Sequence, residues 1–219
     1  MENYRWNDDN LKGNWRNVFI FRDTDHEDKK IQRILTKEIW GLYKKNVFQT
    51  LFIEGQNGLF SIKGVNFLGD LFYQGGTLEN IVAKNNFFIN KIKRNKIELI
   101  GIDNYELIDQ HEKNLKSAIY LYKKILRKKQ LSSQEKESLI GLKKKNLFFS
   151  DQRTKMAVKE IDKQMRDFDL QSAGVLFGEG HYSKMIEELE KRKIGYASFY
   201  PPLTPHLTLE REIKYIQRL

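Results

Sequence analysis

The sequence predicts a single α/β domain over 1–219, with a mostly parallel central sheet, flanking helices and two similar β-α-β halves. Three observations predict it. Short apolar runs of strand length recur along the chain; segments with helical periodicity separate them; and polar residues gather where the apolar runs end.

The first run is NVFIFR (17–22), a buried strand closed by DTDHEDKK, whose acidic and hydroxyl residues suit a helix N-terminus. Ile31, Ile34, Leu35, Ile39 and Leu42 then follow at helical spacing. VFQTLFIEG (47–55) is a second buried strand, so the segment reads as a β-α-β unit with its strands parallel. Residues 56–96, broken by Gly58, Gly64, Gly69, Gly75 and Gly76, read as a loop and helix insertion over one end of the sheet, with a short helix through 78–88. IELIGI (97–102) is another strand and ends at Asp103.

Ile108, Leu115, Ala118, Ile119, Tyr122 and Ile125 mark a long helix, and Ser132 to Glu135 has the spacing of a capping box opening another toward Asn146. This predicts a helical hairpin over 105–146, standing off the sheet. Ala157, Ile161, Met165 and Phe168 mark a further amphipathic helix with Arg153 at its start. Ala173–Phe177 is a strand closed by GEGH (178–181), Met185, Ile186 and Leu189 line the next helix, and Tyr196–Phe199 is the last strand. A helix is expected within 203–219.

In parallel α/β sheets ligands bind beyond the carboxyl ends of the strands, where loops and helix N-termini converge. His26, Glu54, Asp103 and His181 each follow a predicted strand. Two imidazoles and a carboxylate on one rim suit a divalent metal (Mn, Co or Zn) held by His26, Glu54 and His181. The same groups equally suit a metal-free general base oriented by a carboxylate. Asp103, Asp25, Gly178 and Gly180 are candidate ligand-binding residues. His111, inside a helix, and His206, in a Pro-flanked tail, read as structural.

Four short pieces, in this order, resemble one superfamily: VFIFRDTDH with His26, TLFIEG with Glu54 and Gly55, RTKMA with Arg153, Met156 and Ala157, and VLFGEGH with Gly178, Gly180 and His181. The chain is similar from Val18 to about Pro201 to the group containing erythromycin esterases, ChaN haem-binding lipoproteins, TraB/PrgY proteins and TIKI metalloproteases. The resemblance implies that His26, Glu54 and His181 are catalytic or metal-binding, and that Arg153 stabilises the site or an anionic group. It implies hydrolysis of an ester or amide bond. The chain departs from the pattern at Asp23, where the first turn usually opens with Gly, and at Thr24, where esterase-type members place an acidic residue.

Composition bounds the alternatives. The chain has no cysteine, which excludes disulfides, thiolate metal sites and a cysteine nucleophile. Haem is not expected, since no further His or Tyr is placed as an axial ligand. MENYRWNDDNLKGNW does not read as a secretory signal, and no uncharged apolar run approaches ~20 residues, so a soluble cytoplasmic protein is expected. The net charge of +10 concentrates in KKILRKK (123–129) and GLKKKN (141–146) on predicted helices. No aromatic-interleaved sheet motif accompanies it, so a nucleic-acid partner is the weakest reading. A small-molecule or peptide substrate is the leading partner, a non-catalytic protein binding such a ligand in the same cleft is the alternative, and a homodimer is left open.

Overall fold

Alternation of side chains along the strands builds two apolar layers, one on each face of the sheet. The computed structural model describes residues 5–11, 16–24, 29–54, 57–60, 98–125 and 132–201. Its strands are β1 (Arg5–Asn10), β2 (Asn17–Asp23), β3 (Thr50–Ile53), β4 (Asn57–Phe60), β5 (Glu98–Ile102), β6 (Ser172–Gly178) and β7 (Gly195–Tyr200). Its helices are α1 (Lys29–Lys44), α2 (Tyr105–Ile125), α3 (Ser133–Asp167) and α4 (Tyr182–Lys191), with a 3-10 turn at Glu179–His181.

The sheet order is β1-β7-β2-β6-β3-β5-β4. The five inner strands are parallel, and the two edges, β1 and β4, are antiparallel. The two halves, β2-α1-β3 and β6-α4-β7, are interleaved: β6 lies between β2 and β3, and β2 lies between β6 and β7. They run in opposite directions across the sheet with their helices on opposite faces, so both crossovers have the same hand, in keeping with the handedness rule for parallel strands.

On one face, Phe21, Leu51, Ile53, Leu99, Leu176 and Phe199 pack with Ile31, Leu35 and Ile39 of α1. On the other, Val18, Ile20, Phe52, Ile100, Ile102, Val175 and Phe177 pack with Ala157, Val158, Ile161 and Met165 of α3 and with Met185 and Leu189 of α4. The alternation of Val18 and Ile20 with Phe21, and of Phe52 with Leu51 and Ile53, assigns each strand residue its face. Trp6 closes the β1 edge against Phe19, Phe21 and Phe199.

Three differences from expectation have local causes. The segment 133–167 is one unbroken helix, where two were expected with a boundary near Asn146. Its polar stripe faces α2 and the site: the Asn114 amide nitrogen donates to the Leu142 carbonyl (3.1 Å) and to the Asn146 side chain. β3 begins at Thr50 because Val47 belongs to the turn that ends α1, its N–H donating to the Leu42 carbonyl (3.1 Å). Edge strands β1 and β4 were not foreseen, since RWNDDN and NGLF lack an apolar run of strand length. The helix expected at 78–88, the remainder of the 56–96 insertion beyond β4 and the helix expected within 203–219 lie outside the described residues. No helix among the described residues is long and apolar enough to cross a membrane.

Candidate functional site

Because β2, β3, β5, β6 and β7 are parallel, their carboxyl ends share one edge of the sheet. Asp23, Glu54, Asp103 and Gly178 stand there, and all are buried. Each is held by local geometry. The Asp103 carboxylate accepts the Asn104 N–H (2.9 Å), and Asn104 caps α2 by accepting the Leu107 N–H at its side chain (3.0 Å). Glu54 donates its N–H to the Leu176 carbonyl (3.2 Å), extending the ladder one residue past β3.

Arg153 of α3 reaches this edge from beneath. Its Nε donates to Asp103 Oδ1 (3.2 Å), and its Nη2 donates to Asp103 Oδ2 and to Glu54 Oε1 (3.0 Å). The side chains of Arg153, Glu54 and Asp103 are 8%, 8% and 0% exposed, so one guanidinium faces two carboxylates with almost no water. Burial alone would lower the Arg153 pKa, but the hydrogen bonds and charges of Asp103 and Glu54 outweigh it and raise it above its ordinary value. Arg153 therefore acts first on the protein's own carboxylates. Asp103, expected to contact a ligand, is sequestered on Arg153.

His181 ends the 3-10 turn after β6. Its Nε2 lies 3.3 Å from Glu54 Oε1, and its Nδ1 lies 2.6 Å from Thr154 Oγ1 and 3.1 Å from Ser150 Oγ. The Thr154 hydroxyl also stands 2.8 Å from the Ser150 carbonyl, to which it donates its only hydrogen. Ser150 Oγ, also at Nδ1, can donate its hydrogen there, and Nε2–H then donates to the Glu54 carboxylate at 3.3 Å. Phe177 meets the imidazole edge to face at 4.8 Å.

The turn itself is clamped. Arg22 of β2 is paired with Glu179, its Nε donating to Oε2 at 2.6 Å and its Nη2 donating to Oε1. The guanidinium is stacked on Tyr182 and Tyr200 at 3.7 and 4.2 Å from the ring centroids. Gly178 donates its N–H to Glu54 Oε2 (2.6 Å), whereas Gly180 is exposed and a Cβ there would meet nothing within 4 Å.

The structure thus brings Glu54, Asp103, Arg153, His181 and Gly178 together. His26 and Asp25 lie outside the described residues. Three residues were missed: Ser150, Thr154 and His111, whose Nδ1 is 3.1 Å from Arg153 Nη1. A signal was available for two of them, since Ser150, Arg153 and Thr154 are spaced i, i+3, i+4 and share a helix face.

As a metal cradle the described donors fit poorly. Both Glu54 oxygens already face N–H donors, and Nε2 of His181 faces Glu54. Among the described residues no group of three His, Asp or Glu is arranged to hold an ion. A cation between Glu54 and His181 would also sit beside the Arg153 charge. What the arrangement can do is move a proton at His181 next to a fixed carboxylate.

No family model, curated protein or solved structure matches this chain. The reading of the site therefore rests on its geometry and on the short motifs.

Proposed function

We propose that the chain hydrolyses an ester or amide bond of a small molecule or peptide, with His181 as the general base. The observation that carries this is the Thr154–His181–Glu54 line. The imidazole is held at Nδ1 by Thr154 and Ser150 and at Nε2 by Glu54 Oε1 at 3.3 Å, so a proton can be taken up beside a carboxylate that stabilises the charged ring. A water at this site loses a proton to the His181–Glu54 pair while its oxygen bonds to the carbonyl carbon. Collapse of the tetrahedral intermediate breaks the bond to the leaving oxygen or nitrogen, which receives the proton back from that pair. Arg153 and the Gly178 N–H hold Glu54 in place. By the resemblance, His26 is a second candidate for water activation or, with Glu54 and His181, for binding a divalent ion.

A second reading has an observation of its own. Glu54, Arg153 and His181 are each only 8% exposed and satisfy one another, as a purely structural network beneath a ligand-binding cleft would.

A panel of nitrophenyl esters and dipeptide amides separates the two, assayed with wild type, His181→Asn and Glu54→Gln. Turnover that falls at least about 10²-fold in both variants, with the fold intact by circular dichroism, supports hydrolysis. Absence of turnover on every substrate in the wild type overturns it in favour of binding. Metal content by mass spectrometry, compared in wild type, His26→Ala and His181→Ala, decides whether an ion takes part.

A further inference from the structure

A serine or threonine inside a helix commonly gives its hydroxyl hydrogen to the carbonyl four residues back. Ser117 does so to Lys113 (2.9 Å), and Thr154 does so to Ser150 (2.8 Å). Ser150, one turn before Thr154 on α3, does not. Among the described residues its Oγ has one partner, Nδ1 of His181 at 3.1 Å. Its hydrogen is directed at an imidazole rather than at the helix.

The other side of the ring completes a line. The Glu54 carboxylate accepts at both oxygens, Oε1 from Arg153 Nη2 (3.0 Å) and Oε2 from the Gly178 N–H (2.6 Å). Facing this acceptor at 3.3 Å, Nε2 is suited to donate, which leaves the lone pair on Nδ1, toward Ser150. Hydroxyl, imidazole and carboxylate then stand in the order of a serine nucleophile, its base and the group that orients the base. The two ring nitrogens are exchanged relative to the usual triad.

Two hydroxyls meet Nδ1, and they are not equivalent. Thr154 is fully buried, and its hydrogen goes to the Ser150 carbonyl. Ser150 is only partly buried, so it is the one of the two that a substrate can reach. Thr154 Oγ1, 2.6 Å from Nδ1, keeps a lone pair to accept the hydrogen once the ring has taken it.

We propose that Ser150 is the catalytic nucleophile of this site, activated by His181 with Glu54 behind it, so that hydrolysis runs through an acyl-serine. This rests on the hydrolase reading above and changes its first step. Ser150 Oγ bonds to the carbonyl carbon while its proton passes to Nδ1, and Nε2–H donates to Glu54, which stabilises the charged ring. Collapse breaks the bond to the leaving oxygen or nitrogen, which takes the proton from Nδ1. A water then loses a proton to Nδ1 as its oxygen bonds to the acyl carbon. The bond from that carbon to Oγ breaks, and the proton returns to Ser150.

The test uses the full chain and an alkyl fluorophosphonate. An activated serine attacks this probe: a bond from Oγ to phosphorus forms, fluoride leaves, and the proton goes to His181. Trypsin releases residues 146–153 as NLFFSDQR, in which Ser150 carries the one hydroxyl, so mass spectrometry of that peptide locates the label. Labelling is expected in the wild type, and at a rate at least about 10²-fold lower in His181→Asn. An unlabelled peptide in the wild type overturns the proposal. This arm needs no substituted Ser150, so it holds even where a Ser150 variant fails to fold.

Turnover supplies the second arm. With a nitrophenyl ester turned over by the wild type, kcat is expected to fall at least about 10²-fold in Ser150→Ala, with folding checked by circular dichroism. A smaller loss in the folded variant overturns the proposal and leaves the hydrolase reading standing, with water attacking the carbonyl directly. Should the wild type turn over no ester or amide, the hydrolase reading fails and the label alone judges Ser150. A label that depends on His181 then upholds an activated serine, and its absence overturns one.

Discussion

At the scale of single residues, the decisive feature is one guanidinium buried with two carboxylates. Removing one member of such a set leaves an uncompensated charge away from water, which costs more than the pair itself contributes. Arg153→Met is therefore expected to destabilise the fold by about 3–5 kcal/mol in urea unfolding. Arg153→Lys should recover little of that, because an ammonium cannot fork onto Asp103 while also reaching Glu54. Thr154 gives a finer test. Thr154→Val removes the hydroxyl that meets His181 Nδ1 at nearly constant volume, at a stability cost of about 1–2 kcal/mol. The loss of turnover should exceed that cost, and Thr154→Ser, which restores the hydroxyl, should rescue most of it.

At the scale of elements, three helices stop in the same way. α1, α3 and α4 each end with a residue at positive φ, Asn46 (55°), Asp169 (50°) and Lys193 (59°), followed by an apolar residue, Val47, Leu170 or Ile194. The N–H of that apolar residue bonds back to Leu42, Met165 or Leu189 at 2.8–3.1 Å, and the chain then turns toward its next strand. A lysine in the left-handed region carries a steric cost that glycine does not, so Lys193→Gly is expected to raise stability by about 0.5–1 kcal/mol on thermal or urea unfolding. Gly174 gives the opposite sign. A Cβ there would lie 2.8 Å from Leu51 Cδ1 and 2.9 Å from two ring atoms of Phe48, both side chains fully packed under α1. Gly174→Ala is expected to cost about 1–3 kcal/mol, read from the urea midpoint.

At the scale of the whole molecule, pH couples the site to folding. An unfolded histidine binds its proton near pH 6.5, whereas His111 in the folded chain does so near pH 4. Between these values the unfolded state holds more protons, so the His111 contribution is full above about pH 6.5 and is lost as pH falls toward 4. The groups that set it are Arg153, His181, Glu54 and Asp103. Urea midpoints measured from pH 7 to pH 4 should fall less steeply in His111→Phe than in the wild type, and equal slopes would refute this coupling.

How much was legible follows from the range of the forces involved. Strand and helix identity is written locally: FIFR and VLFG are apolar runs, α1 repeats its apolar residues at 3.6, and Ser132 with Glu135 signals a capping box that the structure contains. Parallel strands in turn dictate that residues ending them share an edge, so Glu54, Asp103 and His181 could be grouped without coordinates. The edge strands, the interleaving of the two halves and the continuity of α3 could not be read, because each depends on which surface meets which. The same holds for His111. Nothing near it in sequence distinguishes a helix histidine with a structural role from one whose tautomer is imposed by Arg153, 42 residues away along the chain. Hydrophobic periodicity acts between neighbours and is visible in one dimension, whereas the polarity of a buried hydrogen bond exists only once packing has chosen the partner.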